Sequence, residues 1–290
     1  MELIIGSHVS FVSGSQLYGS VKESLEYGSN TFMIYTGPNQ SALRSSIDNK
    51  LTSEAHKLMI ENNIDIKNVM VHAPFIVNLA NNKDERKYNF YISFMKAEIT
   101  RCKSLGIKNL IFHPGSRTDL DKDTALKNII FGIDSIMKEV ENFNLIIEFM
   151  SGKGTEVGTN IEELEYIMNN IESKEKVGIC LDTCHMNDSG IDISKFDEFL
   201  DVFDDKIGVD KIKCIHINDS LNEIGMHKDR HANLGYGTIG FNNIINVIYN
   251  DRVINVPKIL ETPFVNEVPP YKYEIESIRK KIFTDYISNL

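Results

Sequence analysis

Eight short apolar runs recur along this chain, and a side chain with polar or metal-binding chemistry stands at the end of each. They cover residues 3–5, 31–35, 69–72, 110–113, 145–148, 177–181, 212–217 and 259–260. Their hydrophobicity is nearly continuous, as in strands buried on both faces of a parallel sheet. The segments between them have a helical period. Tyr91, Met95, Ile99 and Cys102 share one stripe, as do Ile129, Ile133, Ile136 and Val140. Asp121 and Thr159 stand where N-caps belong. Eight strands alternating with helices, without a repeat, linker or Gly-rich dinucleotide loop, point to a (β/α)8 TIM barrel. The expectation is one barrel domain over residues 1–290.

At the carboxyl ends of the runs stand His8, Tyr35, His72, His113, Glu148, Asp182, His216 and Glu261. In a barrel these ends converge on one rim, where active sites of this fold lie. Strand alternation puts Gly6, Met33, Met70, Ile111, Ile146, Cys180, Cys214 and Ile259 one layer below, all apolar or small. Imidazoles and carboxylates crowded on one rim repel or stay unsatisfied without cations. This donor mixture suits zinc, manganese or iron better than calcium. One zinc takes about four ligands, so His72, His113, Glu148, Asp182, His216 and Glu261 suggest two ions with a shared carboxylate. His185, three residues after Asp182, and the pair Asp229 and His231 form a further cluster, the pair lying in a long irregular stretch between Asp219 and Gly240.

The formal net charge of −10 argues against nucleic-acid binding by long-range attraction alone. Bound ions are one local source of positive charge. No run approaches the ~18 apolar residues of a membrane span, and the stretch Met1-Glu-Leu-Ile-Ile begins as a strand rather than a signal peptide. Four cysteines without scaffold spacing suggest free thiols in a reducing compartment, so a cytoplasmic location without membrane contact is expected.

The sequence resembles the endonuclease IV family of zinc-dependent apurinic/apyrimidinic endonucleases of base excision DNA repair. The matching stretches run from end to end. They are Gly6-Ser-His-Val-Ser10, His72-Ala-Pro-Phe-Ile-Val-Asn-Leu79, Phe112-His-Pro-Gly115, Leu181-Asp-Thr-Cys-His185, His216-Ile-Asn-Asp219, Asp229-Arg-His-Ala-Asn-Leu-Gly235 and Glu261-Thr-Pro263. The resemblance implies three Zn2+ ions, with manganese or iron able to replace one. His72, His113 and Glu148 would hold the first ion. Glu148 would bridge to a second, bound also by Asp182, His216 and Glu261. His185, Asp229 and His231 would hold the third.

The implied reaction is hydrolysis of the phosphodiester 5′ to an abasic site in double-stranded DNA, by in-line attack of a metal-bound hydroxide. It leaves a 3′-hydroxyl and a 5′-deoxyribose phosphate, with Glu261 or Glu148 orienting the attack. Phe75 and Ile76 match a loop that wedges into DNA, and Arg44 of the strand-two loop is assigned the inserted arginine. Here Phe75 stands where the family often has tyrosine, and the segment Glu148-Phe-Met-Ser-Gly-Lys-Gly154 departs from the usual small polar residues. Arg230, with Lys153 and Lys228, belongs to rim loops that meet phosphates. His8 is a phosphate contact or a structural residue. Cys184 is read as a packed thiol, and no protein partner is implied. The alternative is a metal-dependent sugar isomerase or epimerase on a related barrel, which does not need the His185, Asp229 and His231 cluster.

Overall fold

The computed structural model describes residues 3–289; Met1 and Glu2 of the expected first strand lie outside them. Ten strands occur among the described residues. They are β1 (Ile5–His8), β2 (Thr31–Ile34), β3 (Met70–His72), β4 (Asn109–Phe112), β5 (Asn144–Glu148), β6 (Val177–Asp182), β7 (Ile212–Ile217), β8 (Asp219–Ser220), β9 (His231–Ala232) and β10 (Lys258–Leu260). Eight of them close a parallel barrel in the order β1-β10-β7-β6-β5-β4-β3-β2. Helices α1 (Gln16–Glu26), α2 (Asn49–Glu61), α3 (Glu85–Ser104), α4 (Lys122–Met137), α5 (Ile161–Asn170), α6 (Thr183–Ser189), α7 (Phe196–Lys206), α8 (Phe241–Ile248) and α9 (Tyr271–Lys280) lie in the connections. This is the (β/α)8 barrel that the alternating pattern requires.

Met33, Met70, Ile111, Ile146, Cys180, Cys214 and Ile259 form a separate buried cluster, the filling of the barrel. They are the expected interior layer without Gly6, whose place is explained by a close approach. A Cβ on Gly6 would stand 1.8 Å from the Thr31 carbonyl oxygen, so β1 and β2 pair only because that position has no side chain. The larger core lies outside the barrel, where helix stripes cover the outward strand residues. Tyr91, Met95, Ile99 and Cys102 all bury one face of α3.

Three local expectations shift. The first strand runs to His8 rather than ending at Ile5. Ser7 and His8 are polar, but their backbones pair with β10 and β2, and polarity does not prevent a ladder. The cap of α5 is Asn160, not Thr159: its side chain accepts from the Glu163 amide, while the Thr159 amide donates to the Glu163 carboxylate. Val140 lies beyond α4, which ends at Met137, although it packs on the core. Asp121 caps α4 as expected. None of the described helices is long and apolar enough to cross a membrane.

Candidate metal centre

The centre is organised by the carboxylate of Glu148, the last residue of β5, which is buried. One oxygen lies 2.8 Å from His72 Nε2 and 3.2 Å from His113 Nε2; the other lies 3.2 Å from His216 Nδ1 and 3.3 Å from His185 Nδ1. Four imidazoles therefore converge on one carboxylate, each brought there by a different strand end or the helix after it. Register supplies the next contact: Asp182 of β6 sits directly beside His216 of β7. Glu261, just past β10, puts an oxygen 3.0 Å from His216 Nδ1.

Asp182 also explains the three-residue spacing to His185. It ends β6 and caps α6, its Oδ1 accepting from the His185 amide at 2.9 Å. The helix thus begins at once, and its first turn returns His185 to the rim. Asp182 Oδ2 accepts from Asn218 Nδ2 at 2.7 Å. The loop between Asp219 and Gly240 is not wholly irregular, since β8 and β9 pair across it. That hairpin brings Asp229 Oδ1 to 3.2 Å from His185 Nε2 and 3.5 Å from His231 Nε2. His231 Nε2 also lies 3.7 Å from Asp182.

Ligand atoms fall into groups whose members all lie within 4.8 Å of one another. One is His72, His113 and Glu148; a second is Glu148, Asp182, His216 and Glu261; a third is Asp182, His185 and His231. The orientation of the rings fits cations. His72, His185 and His231 each direct Nδ1 at a backbone carbonyl, of Ala73, Phe149 and Glu261 respectively. Such a contact fixes a ligating ring and turns its Nε2 towards a carboxylate of the site. The Nε2 atoms of His216 and His231 are buried with no hydrogen-bond partner among the described residues, as is Asn218 Oδ1. Orphaned buried polar atoms are costly, and an ion at His231 Nε2 would relieve one of the three, whereas His216 meets the carboxylates through Nδ1.

The charges agree. Burial alone would raise Glu148, but His216 and His113 hold it well below the usual carboxylate range. Glu261 is lowered in the same way by His216 against its own burial. Burial likewise opposes the ionised form of Asp229, yet the His185 hydrogen bond brings it down to about 2. Burial disfavours charge on His185, but Asp182, Asp229 and Glu148 hold it well above the ordinary imidazole range. Divalent ions among these donors would supply positive charge to the same carboxylates. Burial pushes the Cys184 thiol far up, and its sulfur lies within 4.8 Å of ligand atoms of Asp229 and His231.

Above these groups opens a cleft of about 500 Å³ whose lining includes His8, Tyr35, Phe75, Lys153, Tyr271 and Glu261. Phe75 is 49% exposed and stands against the rings of Tyr35, His72 and His113. Ile76 is half-buried against the core. Arg230, Lys153 and Lys228 are exposed. Burial, opposed by Glu261, lowers His8.

Arg44 departs from its expected place. Its guanidinium meets Glu98 at 2.8 Å, lies over the Phe94 ring and leaves the side chain only 9% exposed. A buried ion pair to α3 outweighs projection into solvent. In the same loop Asn39 lines the cleft and Leu43 is exposed. Asn39, Glu156 and Tyr271 carried no strand-end signal, because loops and the start of α9 bring them in.

Residues 21–281 match the family described as xylose isomerase-like TIM barrel. A probable endonuclease 4 of Mycoplasma mycoides is 44% identical over 285 residues, covering 98% of this chain and 99% of the relative. That of Ureaplasma parvum is 48% identical, covering 96% and 93%. The chain belongs to the endonuclease IV family. Within the family's fold, endonuclease IV from Thermus thermophilus superposes with a TM-score of 0.82 at 23% identity, covering 95% of this chain and 97% of that one. A D-tagatose 3-epimerase-like protein superposes at 0.69 and 20% identity, covering 95% and 96%. At such identities both likenesses speak for the barrel alone.

Proposed function

We propose that this chain is a DNA-repair endonuclease that hydrolyses the phosphodiester 5′ to an abasic site in double-stranded DNA. It would leave a 3′-hydroxyl and a 5′-deoxyribose phosphate. Three zinc ions would be held by His72, His113 and Glu148; by Glu148, Asp182, His216 and Glu261; and by His185, Asp229 and His231. The observation that carries this reading is the third group, folded against the other two through Asp182 and Glu148. An epimerase of the same barrel leaves that group without a task. When bound, the ions supply positive charge for the phosphate oxygens and lower the pKa of water at neutral pH.

The protein's own residues account for the rest. Glu261 and Glu148 are held as carboxylates by the surrounding imidazoles, so either can accept a proton from, or orient, a water beside the phosphorus. Both border the cleft, but the Glu261 side chain is 17% exposed and that of Glu148 only 1%, which favours Glu261. Exposed Lys153, Lys228 and Arg230 meet the DNA backbone, and His8 a phosphate at the cleft wall. Phe75 inserts into the stack, supported from below by Ile76. Arg44, tied to Glu98, has no part in the wedge.

The test is incubation of the purified, zinc-loaded protein with a duplex carrying one tetrahydrofuran abasic analogue. Nicking on its 5′ side with a 3′-hydroxyl product is expected. An intact duplex, or a nick at undamaged positions only, overturns the reading.

A further inference from the structure

Several buried carboxylates lie outside the donor groups; one of them, Asp188, holds the loop that carries Asp229, and we propose that it is the positioning residue that aims Asp229 at the third ion. The inference rests on Asp229 being a metal ligand. Asp188 lies in the last turn of α6, the helix whose first turn carries His185. It is fully buried. Its Oδ2 accepts from the backbone amides of Asp229 at 2.7 Å and Lys228 at 3.2 Å, and from Asn222 Nδ2 at 2.8 Å. Its Oδ1 accepts from Ser220 Oγ at 2.8 Å, and its carbonyl from the His227 amide at 3.0 Å. One residue thus gathers three consecutive backbone amides, 227 to 229. Each of these partners is a neutral donor, so the carboxylate acts as an acceptor hub rather than half of a salt bridge.

The loop needs such a hub. His227 and Asp229 both adopt left-handed backbone, φ +52° and +55°, without being glycine. That conformation is unfavourable for a side-chain-bearing residue and persists only where surroundings over-determine it. Here the amide of Asp229 is held by Asp188 while its side chain reaches His185 Nε2 and His231 Nε2. Aim and latch therefore come from the two ends of one short helix. Without the latch, the segment would relax towards ordinary backbone and turn the Asp229 carboxylate away from both imidazoles. The chemistry concerned is phosphate hydrolysis that uses the third cation; the other two groups do not touch the latch.

The experiment compares wild type with Asp188→Asn, which keeps the shape, and Asp188→Ala. Hydrogen exchange of residues 224–231 is measured on metal-free protein, and zinc affinity by chelator competition. Exchange about tenfold faster in that segment is expected, together with a 10- to 100-fold weaker hold on one zinc equivalent, the usual cost of removing a ligand's outer partner. Excess zinc should restore the kcat of Asp188→Asn, which a merely structural lesion would not allow. Unchanged exchange in both variants overturns the latch. Faster exchange with unchanged zinc affinity overturns its role in positioning. A wild type that binds no zinc would sink the nuclease reading, while the exchange measurement still decides whether Asp188 holds the loop.

Discussion

Glu261, the group proposed to orient the nucleophile, borders the cleft with one oxygen 3.0 Å from His216 Nδ1. Glu261→Gln keeps the volume and removes the charge. Steady-state kinetics should give a kcat lower by about 10²- to 10⁴-fold, the range for a positioned acid or base. Affinity for the tetrahydrofuran duplex in a gel-shift titration should change little. Undiminished turnover would remove Glu261 from the mechanism. At this scale the ligand candidates are legible in sequence because imidazole and carboxylate chemistry is intrinsic to residue type. Asp188 and Arg44 are not. Asp188 acts on amides 40 and 41 positions away, and Arg44 is claimed by Glu98 across 54 positions. Such pairings exist only after folding.

The strands are legible at the scale of elements because burial on both faces leaves a continuous apolar run. Their ends are less so: β1 continues through Ser7 and His8, and β8 and β9 are two residues each, too short for any period. One element hides a charge. Lys258 opens β10 fully buried, and its Nζ donates to the carbonyls of Val253 and Ile254. Burial lowers it to about 7. The unfolded chain, with an ordinary lysine near 10.5, takes up a proton at a pH where the folded chain does not. The penalty is therefore absent above about 10.5, grows as pH falls, and is complete below about 7. Lys258→Met should remove it. Urea unfolding of both proteins should show the variant gaining on wild type by on the order of 3 kcal/mol as pH falls from 10 to 7. A difference independent of pH would show that Lys258 keeps its proton in the fold.

The whole molecule carries a net charge of −10 and is read as acting on a polyanion. The resolution is local. The rim gathers four acidic ligand candidates, Glu148, Asp182, Asp229 and Glu261, around five histidines, and divalent ions add two positive charges each where the phosphate must lie. Exposed Lys153, Lys228 and Arg230 extend that field onto the surrounding loops. The central claim is therefore three cations on nine named residues. The most direct measurement is anomalous diffraction at the zinc edge from crystals of the zinc-loaded protein. Three peaks are predicted, one among His72, His113 and Glu148, one among Asp182, His216 and Glu261, and one among His185, Asp229 and His231. A fully loaded crystal without density at the third position, or with zinc bound elsewhere, would contradict the account.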